Sequence, residues 1–229
     1  MRVLGIDTAT AIACVGVVSD DATIERQRPM AGSHARTLLP LIDEVLAASG
    51  VSLESIGLLA VSIGPGSFTG LRIGLSVAKG LALACAKPIV GVPTLRAYAA
   101  ALGRRPGPVW PVLDARKGEL YAAGYRWRAG ELEEVSAPAA RSPRDLDGRI
   151  QAPCTLVGDG VDTYGERWRS MPDVALLRLA ERPPSGAAVA RLGAAQFALG
   201  GAVDAAALEP QYCRLAEAEL HRGVVVSAQ

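Results

Sequence analysis

The sequence predicts an α/β protein built from two related halves, each a mixed sheet flanked by helices. Three observations carry this prediction. Strand-like apolar runs alternate with runs of helical periodicity through the first half of the chain. A unit of strand, aspartate, tight turn and strand occurs twice. It is "RVLGI", Asp7, "TAT", "AIACVGVV" near the start and "VWPVL", Asp114, "ARKG", "ELYAAGYRW" in the middle. The repeat suggests duplication, and "GRRPGP" at 103–108 before the second copy reads as a linker. These set a first subdomain at 1–105 and a second at 106–229, whose tail is free to pack back on the first.

Each element follows from local chemistry. Residues 2–6, 11–18 and 23–28 read as an antiparallel meander, turned by "DTAT" and "SDDA". Residues 33–49 read as a helix, with Leu38, Leu41, Ile42, Val45 and Leu46 at helical spacing. Pro40 leaves two starts open. With Thr37 as N-cap, Pro40 falls in the first turn, where a missing N–H costs little; with Ser33 as cap it lies deeper. A strand at 58–63, a glycine loop, a helix at 70–86 and a strand at 88–92 follow, and "PT" at 93–94 opens a short helix. The second half offers a strand at 154–157, "GDG" at 158–160, a helix near 161–169 and an Ala-rich helix at 185–199. No pattern assigns the tail from 208.

With 229 residues, half of them hydrophobic, the chain can bury a sizeable core. The net charge of +1 and scattered arginines supply no basic stripe, so contact with RNA would need a partner. Cys14, Cys85, Cys154 and Cys213 form no C-x-x-C pair and suit a reducing, cytoplasmic setting. The early Asp7 argues against a signal peptide. The most apolar stretch, 73–92, is broken by Lys79, Gly80, Lys87 and Pro88, which argues against a membrane span.

The loop "SIGPGSFTGLRIG" at 62–74 stands where many α/β proteins hold a phosphate. It is not a Walker A loop, because Leu71 and Arg72 follow Gly70 where Lys and Ser or Thr are required. It misses G-x-G-x-x-G because Thr69 holds the third glycine's place, and the next strand ends at Val92-Pro93 without a ribose-binding acid. Taken alone, Gly64, Gly66 and Gly70 read as residues that permit positive φ and close packing. On the helix that follows, Gly74, Ala78 and Ala82 recur every four residues, flanked by Leu71 and Leu75. Such a stripe admits a neighbouring helix closely, either within the chain or from another one.

No catalytic set assembles. The two histidines, His34 and His221, make no H-x-x-x-H pair, and no cluster has metal-ligand spacing. Asp7 could reach Mg²⁺ or a phosphate, or simply accept hydrogen bonds from its own turn. There is no nucleophile elbow.

Together "GIDTAT", "SHARTLLPLIDEVL", "SIGPGSFTGLRIGLSVAKGLA", "VGVPTL" and "DARKGELYAA" resemble the TsaB (YeaZ) family over residues 3 to 124, with further support from "LVGDG" and "PQYCR". The resemblance implies the acetate kinase–Hsp70–actin (ASKHA, RNase H-like) type of fold. It also implies a non-catalytic paralogue of TsaD. TsaD-like proteins carry H-x-x-x-H on the helix matching 33–49, whereas here Leu38 follows His34. The implied role is activation of TsaD as it transfers threonylcarbamoyl to N6 of adenosine 37 in tRNAs reading codons that begin with A. The implied partners are TsaD, TsaE, a second copy when alone, and tRNA through the complex only. The implied interface is Leu38, Leu41, Ile42, Val45, Leu71, Gly74, Leu75, Ala78 and Ala82. Asp7, Thr8, Thr10, Gly64, Gly66 and Gly70 then form a vestigial phosphate loop, with no required cofactor and room for weak ATP or ADP binding. Competing expectations are an ATP-using small-molecule kinase or hydrolase of the same superfamily, and a metallopeptidase.

Overall fold

The computed structural model describes residues 1–30, 34–202 and 204–213. Two five-stranded sheets share one plan. In the first, β1 (Val3–Asp7), β2 (Ile12–Val18) and β3 (Thr23–Pro29) form the antiparallel meander. Next, β4 (Leu58–Gly64) pairs parallel with β1, and β5 (Ile89–Pro93) parallel with β4, giving the order β3-β2-β1-β4-β5. In the second, β6 (Val109–Arg116), β7 (Glu119–Arg128) and β8 (Glu131–Arg141) form the meander. There β9 (Cys154–Val157) pairs parallel with β6, and β10 (Val174–Leu177) parallel with β9. The duplication read from the two aspartate turns is therefore a duplication of topology.

The first sheet is covered on both faces. Leu4 and Ile6 of β1 and Leu59, Val61 and Ile63 of β4 face α1 (His34–Ser49) and α2 (Phe68–Ala84). Alternation sends Val3, Leu58 and Ala60 to the other face, under α3 (Thr94–Leu102) and α6 (Gly186–Ala198). Glycine lets α6 lie almost on the strands. A Cβ at Gly5 would stand 2.0 Å from the Gly186 carbonyl oxygen, and one at Gly193 would stand 2.4 Å from Ala60 Cβ. Leu95 and Tyr98 of α3 also pack on the second sheet, so this helix joins the halves. Its far face is closed by α4 (Pro143–Asp147), α5 (Asp159–Tyr164) and the fully buried Trp168.

Several expectations change. The first long helix begins at His34 and holds Pro40 in its interior, so Thr37 is not its cap. Ser33, the other candidate, lies outside the described residues. The helix read as 70–86 starts two residues earlier, because Ser67 caps it by accepting from the Gly70 N–H at 3.2 Å. Strands β8 and β10 and helix α4 are not among the elements that the sequence pattern predicts.

Among the described residues no helix is long and apolar enough to cross a membrane.

Candidate functional site

The glycine loop and the Asp7 turn meet at the carboxyl ends of β1 and β4. Asp7 is fully buried. One carboxylate oxygen accepts from the Ala9 N–H at 2.9 Å and the other from the Ser62 hydroxyl at 2.5 Å. Burial pushes its carboxyl above the ordinary carboxylate range, against the pull of those two donors. The parallel pairing of Ile6 with Val61 brings Ser62 beside Asp7. Ser62 was not anticipated, although strand alternation on β4 would have put it on that face.

The turn then fills the loop. Ser67 donates its N–H to the Ala9 carbonyl at 2.7 Å, and Thr8 donates its hydroxyl to the Gly70 carbonyl at 2.8 Å. A Cβ at Gly66 would stand 2.6 Å from the Ala9 carbonyl oxygen, and one at Gly70 would stand 2.0 Å from that of Thr8. At Gly74 it would meet Thr8 Oγ1 at 2.2 Å. Of the three loop glycines only Gly64 has a left-handed φ, +120°. Of the two properties expected of these glycines, positive φ is corrected at Gly66 and Gly70, while close packing holds there because the Asp7 turn occupies the space. The Thr10 hydroxyl bonds locally to Ile12 at 3.4 Å and accepts from Tyr98 at 3.5 Å.

The tail completes this packing. Gln211 donates its N–H to the Ile63 carbonyl at 2.7 Å, and its own carbonyl oxygen would lie 2.4 Å from a Cβ on Gly64. Lys79 on α2 donates to the Ala206 and Leu208 carbonyls at 3.1 and 2.9 Å. Tyr212 stacks on Phe68 with ring centroids 5.4 Å apart, and the Arg72 guanidinium lies 3.8 Å over the same Phe68 ring. The sequence pattern assigned none of these contacts.

The expected interface residues are corrected as well. Leu38, Leu41, Ile42, Val45, Leu71, Gly74, Leu75, Ala78 and Ala82 are all buried within the chain. Their helical spacing marks the face turned to the first sheet, and the small stripe lets α2 approach Thr8 and the core. The outward side of these two helices carries Leu39, Thr69, Ser76, Gly80, Leu83 and Ala84. Leu39 is 49% and Leu83 67% exposed.

In the second half, Asp159 at the start of α5 accepts from the Asp114 N–H at 2.8 Å. Asp114 accepts from the Arg116 N–H at 2.8 Å and pairs with its guanidinium at 3.3 Å. Burial, with the Asp114 and Asp162 charges nearby, pushes the Asp159 carboxyl up to about 6, against the Asp114 N–H. The glycines of "GDG" serve packing: a Cβ on Gly158 would stand 2.5 Å from the Val112 carbonyl oxygen, and one on Gly160 would stand 2.6 Å from a Leu120 methyl. Between the halves lies a cavity of only about 180 Å³ beside Tyr98, Glu25 and Arg182. Its Glu25 already accepts from the Ser185 hydroxyl and the Ala187 N–H. Among the described residues no group of three or more His, Cys, Asp or Glu is placed to hold a metal.

Fold and site define a duplicated α/β protein of the ASKHA, RNase H-like type, in which the polar groups of the phosphate-loop region bond to one another. A family model described as "TsaD: tRNA N6-adenosine threonylcarbamoyltransferase" matches residues 28–221. The Escherichia coli protein named "tRNA threonylcarbamoyladenosine biosynthesis protein TsaB" is 36% identical, covering 93% of this chain and 95% of its own length. The Haemophilus influenzae protein of the same name is 27% identical over 93% and 94%. A solved structure titled "YeaZ from Pseudomonas aeruginosa" superposes with a TM-score of 0.78 at 28% identity, covering 92% of this chain and 99% of that one. The chain belongs to the TsaB (YeaZ) family, within the wider group that the TsaD model describes.

Proposed function

We propose that this chain is the non-catalytic partner of a TsaD-type transferase. It activates transfer of threonylcarbamoyl from its adenylate to N6 of adenosine 37, in tRNAs reading codons that begin with A, in the cytoplasm. The observation that carries the reading is the mutual saturation of Asp7, Thr8, Ser62 and the loop backbone, which turns a phosphate cradle into a packing joint. Near full-length similarity to relatives named for threonylcarbamoyladenosine biosynthesis supplies the pathway. The proposal assigns no required cofactor; TsaE joins the TsaD complex, tRNA is met only through that complex, and the chain pairs with a second copy when alone.

The proposed contact uses the outward side of α1 and α2. A Cβ on Gly80 would meet nothing within 4 Å, so a partner helix has room to come close there. Reconstituted transfer with TsaD, tRNA and threonylcarbamoyl-adenylate tests the role. Modification should be absent with this chain alone and should rise when it joins TsaD. Product from the chain alone, or full TsaD activity without it, rejects the proposal. Gly80→Arg should stay folded by circular dichroism and fail to co-elute with TsaD. Ala78→Trp, aimed at the buried face, should instead unfold the chain. A Gly80→Arg protein that still co-elutes moves the interface elsewhere.

A further inference from the structure

A second polar cavity lies on the far half, remote from the loop. It has a volume of about 330 Å³ and is walled by Trp110, Arg126, Ser136, Arg149 and Gln151, with Val135 at its side. The sheet builds most of it. Trp110 of β6 packs on the α4 and α5 face with Leu120 and Ala122, and alternation along β7 puts Arg126 on that face too. Gly124 pairs in register with Ser136, and a Cβ there would crowd the Trp110 ring at 3.1 Å, so glycine makes room for the indole. The segment after α4 brings Arg149 and Gln151 to the rim.

The polar chemistry of this cavity is one-sided. Two guanidiniums only donate, while the hydroxyl and the amide can donate. Among the described residues no carboxylate lines it. The Trp110 indole N–H is buried without an acceptor, and so is Nε of Arg126. Trp110 itself is 3% exposed. Among the described residues neither Arg126 nor Arg149 has an ion-pair partner. Glu133, directly across from Arg126 in register, lies instead 3.8 Å from Arg128. Two guanidiniums without an ion-pair partner among the described residues, on one cavity, call for a ligand that brings negative charge and acceptors. A tetrahedral oxyanion brings only acceptors, and the planar guanidinium fork matches two of its oxygens.

We propose that this cavity is a binding site for a phosphate group, held by Arg126 and Arg149 with Ser136, against the wall that Trp110 forms. The phosphate comes either from a small free anion or from an RNA backbone, and the same experiment separates the two sources. The full-length chain is titrated with inorganic phosphate in low-chloride buffer. The readout is the Trp110 indole resonance in a ¹H–¹⁵N spectrum, assigned with Trp110→Phe. A saturable shift of that resonance is expected, with binding weakened about tenfold or more in Arg149→Gln, since charged hydrogen bonds are the strong ones. Arg149 sits at the exposed rim, so this variant keeps the fold; Arg126→Gln should weaken binding likewise. Absence of a saturable shift, or unchanged affinity in both variants, overturns the proposal. A parallel titration with unmodified tRNA assigns the source. A matching shift identifies backbone phosphate, and a shift with inorganic phosphate alone identifies a free anion; either sustains the site. No partner protein enters the measurement, so its outcome is independent of the transferase proposal.

Discussion

Alanine at three glycines of one helix should act with opposite signs. At Gly70 the new Cβ would sit 2.0 Å from the Thr8 carbonyl oxygen, over an ångström inside ordinary contact. Helix or turn must move, and that strains the Thr8 hydroxyl bond to Gly70 and the Ser67 bond to Ala9. Overpacking costs about 1–3 kcal/mol, and a weakened buried hydrogen bond adds about 1 kcal/mol. Higher helix propensity returns at most about 1 kcal/mol. Gly70→Ala should therefore lose about 1–3 kcal/mol, a fall in Tm of roughly 3–10 °C for a chain of this size. At Gly80 a Cβ meets nothing, and the helical gain stands alone. That variant should gain up to about 1 kcal/mol, or roughly 2–4 °C. At Gly74 the obstacle is the Thr8 hydroxyl at 2.2 Å, while Thr8 Cβ is at an acceptable 3.4 Å. Gly74→Ala should be destabilising alone and partly rescued by Thr8→Ala, with a favourable coupling of about 1 kcal/mol in the double-mutant cycle. Thermal unfolding by circular dichroism and urea melts measure the wild type and all five variants, the Thr8→Ala single and the double included. A Gly70→Ala variant as stable as Gly80→Ala would refute the packing joint.

The raised Asp159 carboxyl, at about 6 against an ordinary 3.8, binds its proton more tightly in the folded state. Its contribution to stability is therefore full below about pH 4 and is lost as pH rises through 6, with roughly 1–2 kcal/mol going between pH 5 and 8. Asp159→Asn keeps an acceptor for the Asp114 N–H, so urea melts of this variant should show that loss flattened; an unchanged pH slope would contradict the burial argument. Tyr212→Ala removes the stack on Phe68 and the acceptor for Arg72 Nε at 3.1 Å. About 1 kcal/mol of tail docking should go with it, read as faster proteolytic cleavage near residue 212, and equal cleavage rates would show that the stack does not hold the tail.

How much of this was legible depended on how local each cause was. The Asp7 and Asp114 turns were visible because strand, acid, turn and strand are contiguous, and the topology repeats as they suggested. The helix spacing of Leu38, Leu41, Ile42 and Val45 was also visible, but periodicity reports that a face is buried and not what buries it. The partner-facing reading failed there, since the sheet of the same chain covers those side chains. The role of Gly66 and Gly70 depends on a turn some sixty residues away, and Gly5 matters because of Gly186. No window of sequence contains both members of such a pair. The tail was opaque for a related reason. Residues 204–213 have no period of their own and take their place from Ile63, Phe68, Arg72 and Lys79. Strand β8 escaped notice because its Glu131–Arg141 face is largely polar and carries two register shifts against β7.

The two halves show how one plan diverges. In both, a first strand ends in an aspartate followed by a tight turn. In the second, Asp114 stays partly open and is matched by Arg116 at 3.3 Å, with Asp159 behind it. In the first, Asp7 is sealed, and its carboxylate oxygens accept from the Ser62 hydroxyl and from its own turn. The sealed carboxylate fixes the turn that fills the glycine loop through its bond to the Ala9 N–H. That arrangement fixes the base of α2, the helix whose outward side carries Gly80. A helix used as a docking surface gains from such anchoring, because a fixed surface loses less conformational freedom on association. The inward stripe and the loop thus serve the outward face: the groups that once suggested chemistry position the surface that the proposed partner would meet.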